Sequence, residues 1–227
     1  GSRISAVGDL AHLTAGRVID AAGLAVCPGF IDTHVHTDAA LLNDPRHETG
    51  VRMGVTTEIL GQDGLSYAPL DRDNYHSYSR YLSGLCGIPP QDLDMSSVAA
   101  LRSHYHRGCS VNTALLVPHC AIRLSTLGFT DAPLDGSVLD AARDLVREGL
   151  EQGAVGFATG LGFFPAAYAN TEELIQLARV VAEHDGVFVV QQRFFNADRA
   201  YGGGGVTEVL EIGRRAGVKI HFAHYRT

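Results

Sequence analysis

From Phe30 onward the chain alternates short apolar runs with stretches of helical periodicity, and few folds accept that order. Strand, helix, strand repetition builds a parallel sheet, because parallel neighbours need a long crossover connection that a helix supplies. The expected strands are Phe30 to His36, Val55 to Leu60, Val111 to Val117, Ala154 to Ala158, Val187 to Gln192 and Val218 to His224. Between them, Val138, Leu139, Ala142, Leu145, Val146 and Leu150 fall on one helical stripe ended by Gly153; Leu174, Ile175, Leu177, Ala178 and Val181 form another. Asn170 and Glu173 read as a capping box opening that second helix, with Gly186 just past its end. Val209, Leu210 and Ile212 mark a last helix before Gly213 and Gly217. Ahead of Phe30, Arg3 to Val7, Arg17 to Asp20 and Leu24 to Cys27 read as short strands between glycines, too little for an independent sandwich.

Six such units fit an α/β fold that is either a doubly wound sheet or most of an eight-stranded barrel. No G-x-G-x-x-G follows the first strand, which weakens a nucleotide-binding version. The Gly202 to Gly205 run lacks the Lys-Ser/Thr of a phosphate loop and reads as a mobile loop over the strand ends. With 18 basic against 25 acidic residues, net charge -7 and no basic cluster, the chain is not built to bind a phosphate backbone, so nucleic acid is not an expected partner. No apolar run approaches the roughly 20 residues that cross a bilayer, so no membrane span is expected. Cys27, Cys86, Cys109 and Cys120 form no C-x-x-C, which excludes a zinc ribbon and a dithiol redox motif and suits a reduced, cytoplasmic chain. The sequence opens Gly1-Ser2 rather than on Met, as a fragment or processed chain would.

In a parallel barrel the chemistry sits at the C-terminal ends of the strands. The first expected strand ends in His34-Val35-His36; residues two apart share a strand face, so both imidazoles project together and can grip one metal ion. The sixth ends in His224, on the face of Ile220 and Phe222, whereas His221 points the other way with Lys219. Beyond the second comes Gly61-Gln62-Asp63-Gly64, where Asp63 offers a carboxylate ligand or marks an ordinary Asp-Gly turn.

Gly29 to His36, Gly54-Val55-Thr56-Thr57, Gly153 to Leu161 and Tyr168 to Leu174 together resemble the amidohydrolase superfamily, and within it the D-aminoacylases, the N-acyl-D-amino-acid deacylases. The similarity runs from about Arg3 to the end. It implies a zinc-dependent hydrolase on a partial (β/α)8 TIM-like barrel: residues 1–28 as part of a small flanking β domain and residues 29–227 as the first six β/α units. It further implies hydrolysis of the amide of an N-acyl-D-amino acid, a small-molecule substrate, by a water that one or two zinc ions acidify. His34 and His36 match the first two ligands of that family and His224 the histidine after the sixth strand.

Two positions depart from the pattern. Asp63 stands where many D-aminoacylases place a bridging Cys, and Gln191 where the family has a ligand His. The Asp that the resemblance implies as proton acceptor would lie beyond Thr227. A carbamylated-Lys bridge is disfavoured, because Lys219 is the only Lys and does not follow the fourth strand. Among residues near strand ends, His119 would contact substrate or orient a ligand, or be a plain loop residue. Thr159 would line the pocket, and Arg193 would hold a substrate carboxylate or form a structural ion pair. Two other readings stay open: an amidohydrolase acting on cyclic amides or N-acetyl sugars, and a catalytically impaired homologue with a degraded metal site.

Overall fold

The computed structural model describes residues 3–225, and from Phe30 on they build one six-stranded sheet wrapped by helices. In chain order the elements are β1 (Phe30–Asp32), α1 (Asp38–Asn43), α2 (Glu48–Arg52), β2 (Val55–Leu60), α3 (Arg72–Cys86), α4 (Val98–Tyr105), β3 (Asn112–Pro118), α5 (His119–Thr126), α6 (Gly136–Glu151), β4 (Gly156–Gly160), α7 (Thr171–Glu183), β5 (Val187–Gln191), α8 (Gly205–Ala216) and β6 (Lys219–Phe222). The strands lie in sequence order, every neighbouring pair parallel. This is a curled half-barrel, the six-unit α/β architecture that the sequence pattern implies.

Strand alternation divides the apolar residues into two cores. Leu116, Ala158 and Val189 pack together on the inner face with Ile59, Val187 and Ala223. The intervening Leu115, Val117, Phe157, Phe188 and Val190 point outward and join the helices in the larger core. The stripe expected on α6 delivers Ala142, Val146 and Leu150 into that outer core. On α7 the Asn170 carboxamide accepts the Glu173 N–H at 2.8 Å, a cap worth about 1 kcal/mol. The Glu173 side chain does not fold back onto the cap; it turns inward, as described below. On α8, Val209 and Ile212 are buried while Leu210 is exposed.

Three features differ from the sequence reading. The expected strands before Phe30 are not formed: residues 3–29 are irregular, and Ile4, Val7, Val18, Ile19, Leu24 and Val26 are exposed. A strand needs a partner ladder, and none of the described residues supplies one. Secondly, α3 and α4 fill the long stretch after β2; Asp71 caps the first by accepting the Asn74 N–H and Ser97 the second by accepting the Ala100 N–H. Thirdly, β1 stops at Asp32 and β6 at Phe222, so His34, His36 and His224 sit beyond their strands.

Candidate metal centre

The C-terminal ends of the strands gather one convergent cluster. A turn of 3-10 helix, Gln62–Gly64, follows β2 and carries Asp63 in the left-handed region at φ 56. The turn is pressed against β4: a Cβ on Gly160 would lie 2.6 Å from the Asp63 carbonyl oxygen and 3.0 Å from its Cβ, so the strand must present a glycine there. Gly64, at φ +71, is as closely pressed: a Cβ there would lie 2.8 Å from the Ala158 carbonyl oxygen.

Onto this turn converge the histidines from both ends of the sheet. Asp63 Oδ2 lies 3.6 Å from His34 Nε2, 3.4 Å from His36 Nε2 and 3.6 Å from His224 Nε2. Donor atoms of His34, Asp63 and His224 all fall within 4.8 Å of one another. These separations exceed the usual charge-assisted hydrogen bond of about 2.7–2.9 Å. They match donors shared by a tetrahedral ion, since two atoms each about 2.1 Å from such an ion stand about 3.4 Å apart. Asp63 Oδ1, His34 Nδ1 and His36 Nδ1 are buried with no hydrogen-bond partner among the described residues. The imidazoles of His34 and His224 and the Asp63 carboxylate, at mutual ligand spacing and with His36 Nε2 beside that carboxylate, are donors that a divalent transition metal accepts, so the residues fit the ion. Burial works against ionisation of Asp63, but the adjacent imidazoles of His34 and His36 outweigh it and hold the carboxyl at about 2.

Beneath the ligands lie buried carboxylates that the sequence reading did not single out. Asp38, fully buried, accepts from the Ser66 hydroxyl at 2.6 Å and the Gly61 N–H at 3.2 Å. Burial pushes its carboxyl up to about 6, against the opposing pull of Ser66, His36 and backbone N–H groups. Glu58 accepts from the Thr37 hydroxyl at 2.5 Å and His47 Nε2 at 2.6 Å, bracing the segment next to His36.

His119 and Thr159, both buried, contact each other. Glu173 can only accept, so the His119 Nε2–H donates to it at 2.9 Å; Nδ1 then accepts from the Thr159 hydroxyl at 2.8 Å. Glu173 also takes Arg123 Nη1 at 2.6 Å and the Leu134 N–H at 2.7 Å. Burial holds the His119 pKa below its ordinary value, with Glu173 pulling the other way. Arg193 takes the ion-pair alternative: its Nε and Nη2 donate to Glu208 at 3.1 and 3.2 Å, and Nη1 and Nη2 to the carbonyls of Ala167 and Ala169. Its guanidinium therefore ties the loop after β5 to the loop after β4 and to α8.

Gln191 lies on the inner face in register with Gly160, and its Oε1 is buried without a hydrogen-bond partner among the described residues. His221 also belongs to the inner face, in register with Val189, but is exposed. A cavity of about 590 Å³ lined by Arg102, Tyr105, Arg107 and Asn112 sits at the opposite, N-terminal end of β3, away from the cluster.

Known proteins resemble this chain in sequence and fold. The pattern of the amidohydrolase family matches residues 17–191. A D-aminoacylase of Alcaligenes xylosoxydans xylosoxydans is 31% identical over 239 residues, covering 100% of this chain and 45% of that protein. A solved D-aminoacylase with a binuclear metal centre superposes with a TM-score of 0.82 at 30% identity, over 97% of this chain and 45% of its own. An N-acyl-D-glutamate deacylase from Bordetella bronchiseptica, complexed with zinc and a phosphonate inhibitor, superposes with a TM-score of 0.70 at 31% identity, over 85% of this chain and 39% of its own. The chain thus spans under half the length of these relatives.

Proposed function

The chain belongs to the amidohydrolase family, and on that premise we propose that the protein is a metal-dependent amide hydrolase whose ion is held by His34, His36, Asp63 and His224. The observation that carries this reading is the convergence of three imidazole Nε2 atoms to within 3.4–3.6 Å of one Asp63 oxygen. Zinc suits those donors, and the glutamate deacylase relative holds zinc. Bound there, the ion would supply Lewis acidity, acidifying water and polarising an acyl oxygen. The chain's own part is to hold the donors at that spacing and to keep Asp63 ionised; burial of Asp63 limits competition from water.

The substrate class follows from the relatives, a D-aminoacylase and an N-acyl-D-glutamate deacylase: an N-acyl-D-amino acid whose amide bond is hydrolysed. In the same reading residues 1–28 belong to a small flanking β domain. The free state of all four cysteines supports a cytoplasmic protein; no helix of the described residues is long and apolar enough to cross a membrane.

The test is zinc content of the purified full-length protein together with turnover of matched N-acyl-D- and N-acyl-L-amino acids. Zinc with hydrolysis confined to the D series supports the proposal; hydrolysis of cyclic amides or N-acetyl sugars instead moves it elsewhere in the family. Gln191, an amide on the inner face where the family resemblance calls for imidazole, favours a second reading, an impaired homologue. Neither zinc nor turnover would establish that one.

A further inference from the structure

We propose that Asp38 is a positioning residue that fixes the Asp63 turn against the segment carrying His34 and His36. Asp38 opens α1 two residues after His36 and is fully buried. One of its oxygens, Oδ1, accepts both the Gly61 N–H and the Ser66 hydroxyl, and those two residues bracket Asp63. A single atom thereby grips both ends of the turn. The grip is itself anchored, because the Tyr105 hydroxyl donates to the Asp38 carbonyl at 2.9 Å.

The turn needs such an anchor. Gly61, Asp63 and Gly64 all have left-handed backbone, and within the turn the bonds are Gly64 N–H to Gly61 at 3.2 Å and Leu65 N–H to Gln62 at 3.0 Å. Left-handed backbone at a non-glycine residue persists where its surroundings over-determine it. Gln62 adds one tie, donating to the Thr33 carbonyl at 2.7 Å; Asp38 alone among these groups holds the turn on both sides of Asp63. Its effect on the site is therefore to aim a carboxylate it does not touch.

This inference rests on the metal-site reading proposed above. Its test is zinc affinity by chelator competition in the full-length protein, for the wild type, Asp38→Ala, Asp38→Asn, Asp63→Asn and the Asp38→Ala/Asp63→Asn double variant. Asn at 63 tolerates the left-handed backbone while offering a poor ligand. Asp38→Ala should weaken zinc binding about tenfold or more, whereas Asp38→Asn, whose carbonyl oxygen still accepts from Gly61 and Ser66, should stay within about threefold. In the Asp63→Asn background Asp38→Ala should change affinity by less than about twofold, since no carboxylate is left to aim. Equal losses in both backgrounds would mean a merely structural role and overturn this inference while leaving the metal site standing. A wild type that binds no zinc would overturn both. Should Asp38→Ala fail to fold, Ser66→Ala carries the same cycle: a loss of about threefold that disappears in the Asp63→Asn background supports the inference, and an equal loss in both overturns it.

Discussion

The rings of His34 and His224 stand with centroids 4.5 Å apart, although they follow β1 and β6, the two edge strands of the sheet. In a flat sheet five strand spacings of about 4.8 Å would separate those edges by about 24 Å. Contact between the rings requires the sheet to curl, and the curl gathers ligands from strands distant in sequence. The cluster is thus a property of the half-barrel and not of a local motif.

Replacing both His34 and His36 by Ala should leave the protein nearly free of zinc after reconstitution, against about one ion in the parent, because two of four convergent donors are removed. Metal analysis of both proteins decides it; equal zinc in the two would show that the ion sits elsewhere.

Gly160→Ala should disturb the same site from outside the ligand set. The added methyl would meet the Asp63 backbone at 2.6 Å, and something must shift. Zinc affinity should fall roughly tenfold, about 1.4 kcal/mol. Gly162→Ala is the control, since its nearest neighbour would be 3.7 Å away, an ordinary contact. Chelator competition on the two variants separates them, and equal affinities would mean that the turn has slack.

The sequence made the strands legible because a buried parallel sheet leaves continuous apolar runs, and β2 begins and ends where its run does. It hid α3, whose inward face is Tyr75, Tyr78, Ser79 and Leu82, residues that read as polar or ambiguous. His224 is a more instructive case. Alternation along β6 groups it with Ile220 and Phe222, which pack toward the helices, so strict strand geometry would carry it away from the centre. It reaches Asp63 because the strand ends at Phe222 and the chain bends at Ala223 and His224. His34 and His36 likewise meet edge to face beyond the end of β1. The structure brings His34 and His224 together with Asp63 where strand alternation alone would have separated them. The buried roles of Glu58 and Glu208, and the inward turn of the capping-box residue Glu173, were illegible, because their partners come from other elements and an acid in a sequence resembles a solvated one.

Glu173 predicts an acid-sensitive fold. Burial opposes its ionisation, but His119 and Arg123 outweigh that and hold its pKa below the ordinary value. A depressed carboxylate lends stability that is complete above the unfolded value, about 4.3, and is lost as pH falls through the folded one. His119, held neutral by burial, adds a loss that begins below about 6.5, where the unfolded chain takes up a proton first. Urea unfolding between pH 7 and 2 should therefore show stability falling below about 6.5 through His119 and further below about 4.3 through Glu173. Glu173→Gln should lower stability at pH 7 by about 3–5 kcal/mol, because it leaves Arg123 buried without its counter-charge, and should flatten the acid limb. A variant with the parent's pH profile would remove Glu173 from the explanation.

The departure with most consequence is Gln191. Its side chain lies on the inner face, in register with Gly160, which itself abuts Asp63, and an amide oxygen is a much weaker zinc ligand than imidazole. Gln191→His should add a donor and tighten zinc binding by a factor of about ten or more, about 1.4 kcal/mol. Gln192→His should do less, because successive strand residues point to opposite faces and Gln192 follows on the outer one. Chelator competition on the full-length protein separates the cases. A gain for Gln192→His alone would mean that the end of β5 turns its side chains the other way. No gain for either would mean that the ion is held without the fifth strand, leaving Asp63 and the three histidines as the whole of its grip within residues 3–225.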